Sequence, residues 1–180
     1  MEEMNRPMKW KPLKRIAKGM SAGLTLLEIL IVIAIMAVVA AMAYPSFQRL
    51  AINNNLKTAA RDLASDFAQM KGSAISGDAA LGGSRMYRIS LNVGGNSYQL
   101  QRCNNIGSPC GGWETIQTKN LANYSNDIVF GGETNTVNYN FQPRGTITPG
   151  GTIHLVNSLG SEARLTTLIT GRTNVQFNLQ

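Results

Sequence analysis

The chain has 180 residues and a formal charge of +7, but Arg6, Lys9, Lys11, Lys14, Arg15 and Lys18 stand against only Glu2 and Glu3 in its first 23 positions. That segment therefore carries a net +4 and leaves only +3 on the remainder. Charged residues make up 15% of the chain while Asn, Thr, Ser and Gly abound, a surface suited to an extracytoplasmic β-rich domain rather than a nucleic-acid platform. One histidine and two cysteines do not make a tetrahedral metal set. Ser46 and Ser161 lie in no nucleophile elbow, and no Gly-rich loop leads into Lys-Ser/Thr. No enzyme class, cofactor or metal is indicated.

The basic segment, residues 1–23, reads as a leader that stays cytoplasmic by the positive-inside rule, so that the rest of the chain is exported. Leu24–Ala43 is apolar apart from Thr25 and Glu28 and, at 1.5 Å per residue, is long enough to cross a bilayer as a helix. Glu28 is the anomaly. A carboxylate costs about 2.5–3.5 kcal/mol at mid-membrane on insertion scales, and less near an end, so something must compensate it. A cut after Gly23 would give Leu24 a charged α-amino group. The same amine on a neighbouring subunit could neutralise Glu28 and set the register between helices. Two plainer readings compete. Ala41-Met42-Ala43 fits an ordinary signal-peptidase site that would release a soluble protein, such as a secreted enzyme, starting at Tyr44; alternatively, the span is an uncleaved single-pass anchor. Both leave Glu28 unexplained.

The basic leader, Gly23 before the junction, Glu28 five residues after the cut and Pro45 twenty-two after it resemble the class III signal of type IV prepilins and type II secretion pseudopilins, although Leu24 stands where phenylalanine is usual. The resemblance implies cleavage between Gly23 and Leu24 by a prepilin peptidase/methyltransferase, N-methylation of Leu24, and a role for Glu28 in assembly. It further implies other pilins or pseudopilins, an inner-membrane assembly platform and membrane lipid as partners. The expected location is the inner membrane, single-pass, with a periplasmic C-terminal domain that joins a pseudopilus or pilus.

Beyond Pro45, Phe47, Leu50, Leu56, Ala60, Leu63, Phe67 and Met70 recur at mostly three- and four-residue steps, the period of an amphipathic helix. Pro45 is expected to kink the helix rather than end it, Asn53-Asn54-Asn55 to weaken it locally, and Lys71-Gly72 to close it. Asp62 and Asp66 read as a solvated face. Residues 24–45 thus form a transmembrane and assembly helix and residues 46–72 its periplasmic half, with a loop at 77–84.

From residue 85 to 180 the period is two. Tyr87/Ile89/Leu91 and Tyr98/Leu100 around Gly94-Gly95 make a hairpin. Short strands follow at Trp113–Thr118, Ile128–Phe130, Val137–Phe141, Ile153–Val156, Arg164–Ile169 and Val175–Leu179, with no useful helix after Gly72. Between them Cys103 and Cys110, in an oxidising compartment, are expected to form a disulfide. His154 sits in an alternating strand and reads as an exposed or hydrogen-bonded structural imidazole. The fold class is α+β: a long N-terminal helix, transmembrane and then amphipathic, packed on antiparallel sheet.

Phe141-Gln142-Pro143-Arg144-Gly145, the turn Ser158-Leu159-Gly160 and Gly171-Arg172 resemble the GspH/FimT family of minor pseudopilins and minor pilins, which implies a pilin-like fold and a structural subunit supporting protein secretion. FimT-like members that take up DNA place two arginines in a Gly-Arg-x-Arg loop. Here Gly171-Arg172-Thr173-Asn174 keeps only the first, so a DNA site built on Arg144, Arg164 and Arg172 is the weaker alternative, because each lost phosphate contact reduces salt-dependent attraction.

Overall fold

The computed structural model describes residues 25–77, 83, 85–106, 109–134 and 136–180. The chain divides into two compact units, residues 1–41 and 42–180. Helix α1, Leu26–Ser76, contributes to both, with Pro45 inside it. In the first unit every described side chain, from Thr25 to Ala41, is exposed. By length and composition α1 can cross a membrane.

In the second unit α1 presents Leu56, Ala59, Ala60, Leu63, Phe67, Met70 and Ala74 to the core, the stripe expected from their spacing. Two members of the sequence pattern do not join it. Phe47 and Leu50 are 67% and 53% exposed, because they precede the stretch of helix that the sheets cover. The helix also ends later than expected. Ala74 is fully buried one turn from Met70, so the helix continues through Gly72 to Ser76. Gly77, at φ 70°, is the C-terminal cap, its N–H donating to the Ser73 carbonyl at 3.2 Å.

Among the described residues nine antiparallel strands follow: β1 Tyr87–Leu91, β2 Ser97–Cys103, β3 Trp113–Asn120, β4 Val129–Phe130, β5 Asn138–Phe141, β6 Ile147–Thr148, β7 Gly151–Val156, β8 Glu162–Thr167 and β9 Thr173–Asn178, with one 3₁₀ turn at Leu121–Asn123. They make two sheets, β3-β2-β1-β5-β6 and β4-β7-β8-β9. The first pairs Ile89 with both Leu100 and Tyr139, which places these side chains on one face. Phe67 of α1 meets Tyr139 and Phe141 edge-on, with centroids 5.1 and 5.5 Å apart. Ile153, Leu155, Ala163 and Leu165 supply the second sheet's side of the same core. Burial of such side chains contributes about 1.5–3 kcal/mol each.

Polar clamps tie helix to sheet. Asp66, expected to be solvated, is 3% exposed. It accepts from the Tyr98 hydroxyl at 2.6 Å and from Lys119 Nζ at 2.7 Å. Asp62 accepts from the Tyr124 hydroxyl at 2.7 Å. Asn53, expected to loosen the helix, is buried instead: its Nδ2 donates to the Gln180 carbonyl at 2.9 Å and its Oδ1 accepts from Asn157 Nδ2 at 3.1 Å. An amide at that place makes a long-range bridge, which outweighs its modest helix propensity.

Candidate functional site

Thr25 precedes the helix and acts as its N-cap, its Oγ1 and carbonyl accepting from the Glu28 N–H at 3.2 and 3.1 Å. Thr25-Leu26-Leu27-Glu28 is thus the S/T-x-x-E pattern of a capping box, with Glu28 at the third helical position. A carboxylate in the first turn also faces the positive end of the helix dipole, worth about 0.3–1 kcal/mol. Glu28 is therefore locally stabilised, yet no other charged residue occurs between Leu26 and Tyr44. Leu26, Ile33, Met36 and Val39 are among the apolar side chains around it, each more than half exposed. Gly23 and Leu24, the expected cleavage and methylation positions, lie outside the described residues.

In the second unit α1 exposes Tyr44, Phe47 and Leu50, at three-residue steps. These side chains are unused by the chain's own core. The globular part adds a disulfide-closed loop: Cys103 and Cys110 are bonded, with Cα atoms 5.7 Å apart. Asn105 Oδ1 accepts from the Gly111 N–H at 2.7 Å, and the Asn104 N–H donates to the Gly112 carbonyl at 3.0 Å. Beside this loop the Arg88 guanidinium lies 3.8 Å over the Trp113 ring and donates to Asn140 at 2.8 Å; partial burial lowers the Arg88 pKa.

The three arginines of the nucleic-acid reading have different surroundings. Arg144 and Arg172 belong to neighbouring turns, which approach so closely that a Cβ built on Gly171 would collide with the Gly145 carbonyl oxygen. Lys71 Nζ donates to the Gly171 carbonyl at 3.1 Å. Arg164 is instead paired with carboxylates, its Nη2 3.0 Å from Glu162 and 3.8 Å from Glu133. An arginine so neutralised adds little to a phosphate-binding patch.

His154, in its alternating strand, is buried and hydrogen-bonded through Nδ1 to Glu162. Burial acts to raise the Glu162 carboxyl's pKa, but the hydrogen bonds from His154 and Arg164 outweigh it and hold it below the usual range. Sequence reasoning missed this group because Glu133 stands 21 residues before His154, on a turn whose path periodicity does not specify. It also missed Thr25, although the T-x-x-E spacing was visible.

A model of the family described as Type II transport protein GspH matches residues 59–173. The chain belongs to that family. A second model, the prokaryotic N-terminal methylation motif, matches residues 18–44, covering the end of the basic leader, Gly23, Glu28 and the apolar helix. No curated protein matches the chain. Among solved structures it is similar to the minor pseudopilin EpsH of the type II secretion system of Vibrio cholerae, at 15% identity and a TM-score of 0.48, covering 69% of this chain and 94% of that one. This GspH-family chain is a pseudopilin of type II secretion whose methylation motif coincides with a helix long and apolar enough to cross a membrane, and its family implies assembly with other pseudopilins.

Proposed function

We propose that the GspH-family subunit is cut between Gly23 and Leu24 by a prepilin peptidase, N-methylated on Leu24, and drawn from the inner membrane by an assembly platform into a periplasmic pseudopilus. Its globular domain then faces the periplasm, where the Cys103–Cys110 bond is maintained. In this reading Glu28 accepts the α-amino group of a neighbouring subunit, and Leu26–Ala43 exchanges lipid for the apolar helices of the filament.

One observation carries the proposal: Glu28 is the sole charge in the apolar first part of α1, where the described side chains are exposed from Thr25 to Ala41. The capping contact and the helix dipole are worth at most a few kcal/mol, comparable with the cost of holding the carboxylate near a membrane boundary. They permit Glu28 without explaining its use, whereas a partner's amine gives it a function. Cross-linking of Glu28→Ala to other pseudopilins in membranes tests this. The mutant is expected to insert normally and to lose most adducts, and wild-type cross-linking by the mutant would remove the pairing role.

A further inference from the structure

Glu133, His154 and Glu162 bring three metal-ligating side chains together in a place that assembly through the helix does not use. The donor atoms, His154 Nδ1 and one carboxylate oxygen from each glutamate, all lie within 4.8 Å of one another. His154 is the chain's single histidine, and its side chain is only 8% exposed. It projects from β7 on the face opposite Ile153 and Leu155, by strand alternation. Its main chain is pinned as well: the Gly131 N–H and Thr134 Oγ1 donate to the His154 carbonyl at 2.8 and 3.3 Å, and the His154 N–H donates to Thr134 Oγ1 at 3.1 Å. The turn that carries Glu133 is thereby fixed beside the imidazole. From β8, Glu162 reaches the same Nδ1, while Arg164 stands directly opposite His154 in the ladder.

Charge and spacing then define what fits. With a neutral imidazole, two carboxylates face one guanidinium, leaving the cluster a net −1. Nδ1 lies 3.4 Å from Glu133 Oε2, close to the edge of a tetrahedron with bonds of about 2.0–2.2 Å, whereas Glu162 is in hydrogen-bond contact with Nδ1 and must draw back to admit an ion. We propose that Glu133, His154 and Glu162 form a binding site for a zinc-class divalent cation, which displaces Arg164 from the carboxylates. One imidazole nitrogen with two carboxylate oxygens suits zinc and neighbouring transition ions, whereas calcium takes six or more oxygens. On binding, a neutral ring carries its proton on Nε2 instead of Nδ1 and gives the Nδ1 lone pair to the metal, while a doubly protonated ring must first release one proton to solvent, so affinity falls as the pH drops. Arg164, with a side chain 48% exposed, can swing into water. The bound ion would fasten the 131–134 turn to β7 and β8. An expectation of no metal, based on cysteines and histidine alone, overlooks carboxylate ligands.

The test is calorimetric titration of Zn²⁺ into the full chain in detergent, without a histidine tag, with Ca²⁺ as the control. One saturable Zn²⁺ per chain and no comparable Ca²⁺ uptake are expected. His154→Gln should abolish binding, and Glu133→Gln should weaken it about tenfold or more. Arg164→Gln should tighten it, since the internal competitor is gone. The Glu133 side chain is 74% exposed, so Glu133→Gln keeps the comparison independent of folding. Absence of uptake by the wild-type chain, uptake unchanged by His154→Gln or Glu133→Gln, or equal uptake of Ca²⁺ overturns the site. Weaker binding by a folded Arg164→Gln variant overturns the competitor role.

Discussion

Replacing Asp66 with alanine removes the junction that holds the second half of α1 to the β2–β3 hairpin. The carboxylate is 3% exposed and accepts two charge-assisted hydrogen bonds, from the Tyr98 hydroxyl and Lys119 Nζ. Hydrogen bonds to charged groups contribute about 1.5–3 kcal/mol each, and an orphaned buried donor adds a desolvation cost. The two partners differ in environment: Tyr98 is 1% exposed, whereas the Lys119 side chain is 28% exposed and regains water when released. The Tyr98 bond should therefore dominate, with Lys119 adding about 1 kcal/mol or less, as partly solvated pairs do. The expected loss is about 2–4 kcal/mol for Asp66→Ala, about 1–2 kcal/mol for Tyr98→Phe, and less for Lys119→Met. Denaturant unfolding of the full chain in detergent, with Trp10 replaced by phenylalanine so that Trp113 alone reports by fluorescence, measures all three. A loss below about 0.5 kcal/mol for Asp66→Ala, where surface substitutions fall, would refute the clamp.

Gly171→Ala should cost about 1–3 kcal/mol from backbone strain alone, since Gly171 has φ 76°, and more because the new Cβ would collide with the Gly145 carbonyl oxygen; a melting temperature equal to wild type would contradict that close approach. The buried phenols make the domain alkali-sensitive: burial, and for Tyr124 also Asp62, pushes Tyr124 and Tyr139 up to about 12, and burial with Asp66 raises Tyr98 further. Because the folded state then holds protons that the unfolded state has lost, stability is fully present below about pH 10 and falls as the pH rises through 10–12. An ultraviolet titration showing these phenols ionising near pH 10 in the folded protein would contradict this.

The parts of the fold legible in the sequence are those where one periodicity decides. The spacing Leu56, Ala60, Leu63, Phe67, Met70 reveals the buried stripe, and alternation around Gly94-Gly95 reveals β1 and β2. Legibility fails where tertiary contact overrides local preference. Phe47 and Leu50 keep the helical period, yet periodicity does not say whether the chain's own sheet or another molecule covers a face. Gly72 resembles a cap as well as Gly77 does, and only the burial of Ala74 separates them. β6 is two residues long and is set by its pairing with β5, Phe141 opposite Ile147, which no local signal encodes. Asp66 looks solvated and Asn53 looks like a weak point in the helix until the partners arriving from residues 98, 119, 157 and 180 are known. For the candidate site, Glu28 is visible through its isolation, while its capping contact with Thr25 depends on where the helix starts.

The central claim, that this is a subunit matured for assembly through its helix, is tested most directly by the N-terminus of the protein recovered from membranes. Intact-mass and N-terminal fragment spectra are expected to show a chain beginning at N-methylated Leu24, and replacing Gly23 with a bulky residue should leave the leader attached. A mature chain beginning at Tyr44, or a wild-type chain that keeps residues 1–23 beside an active prepilin peptidase, would contradict it.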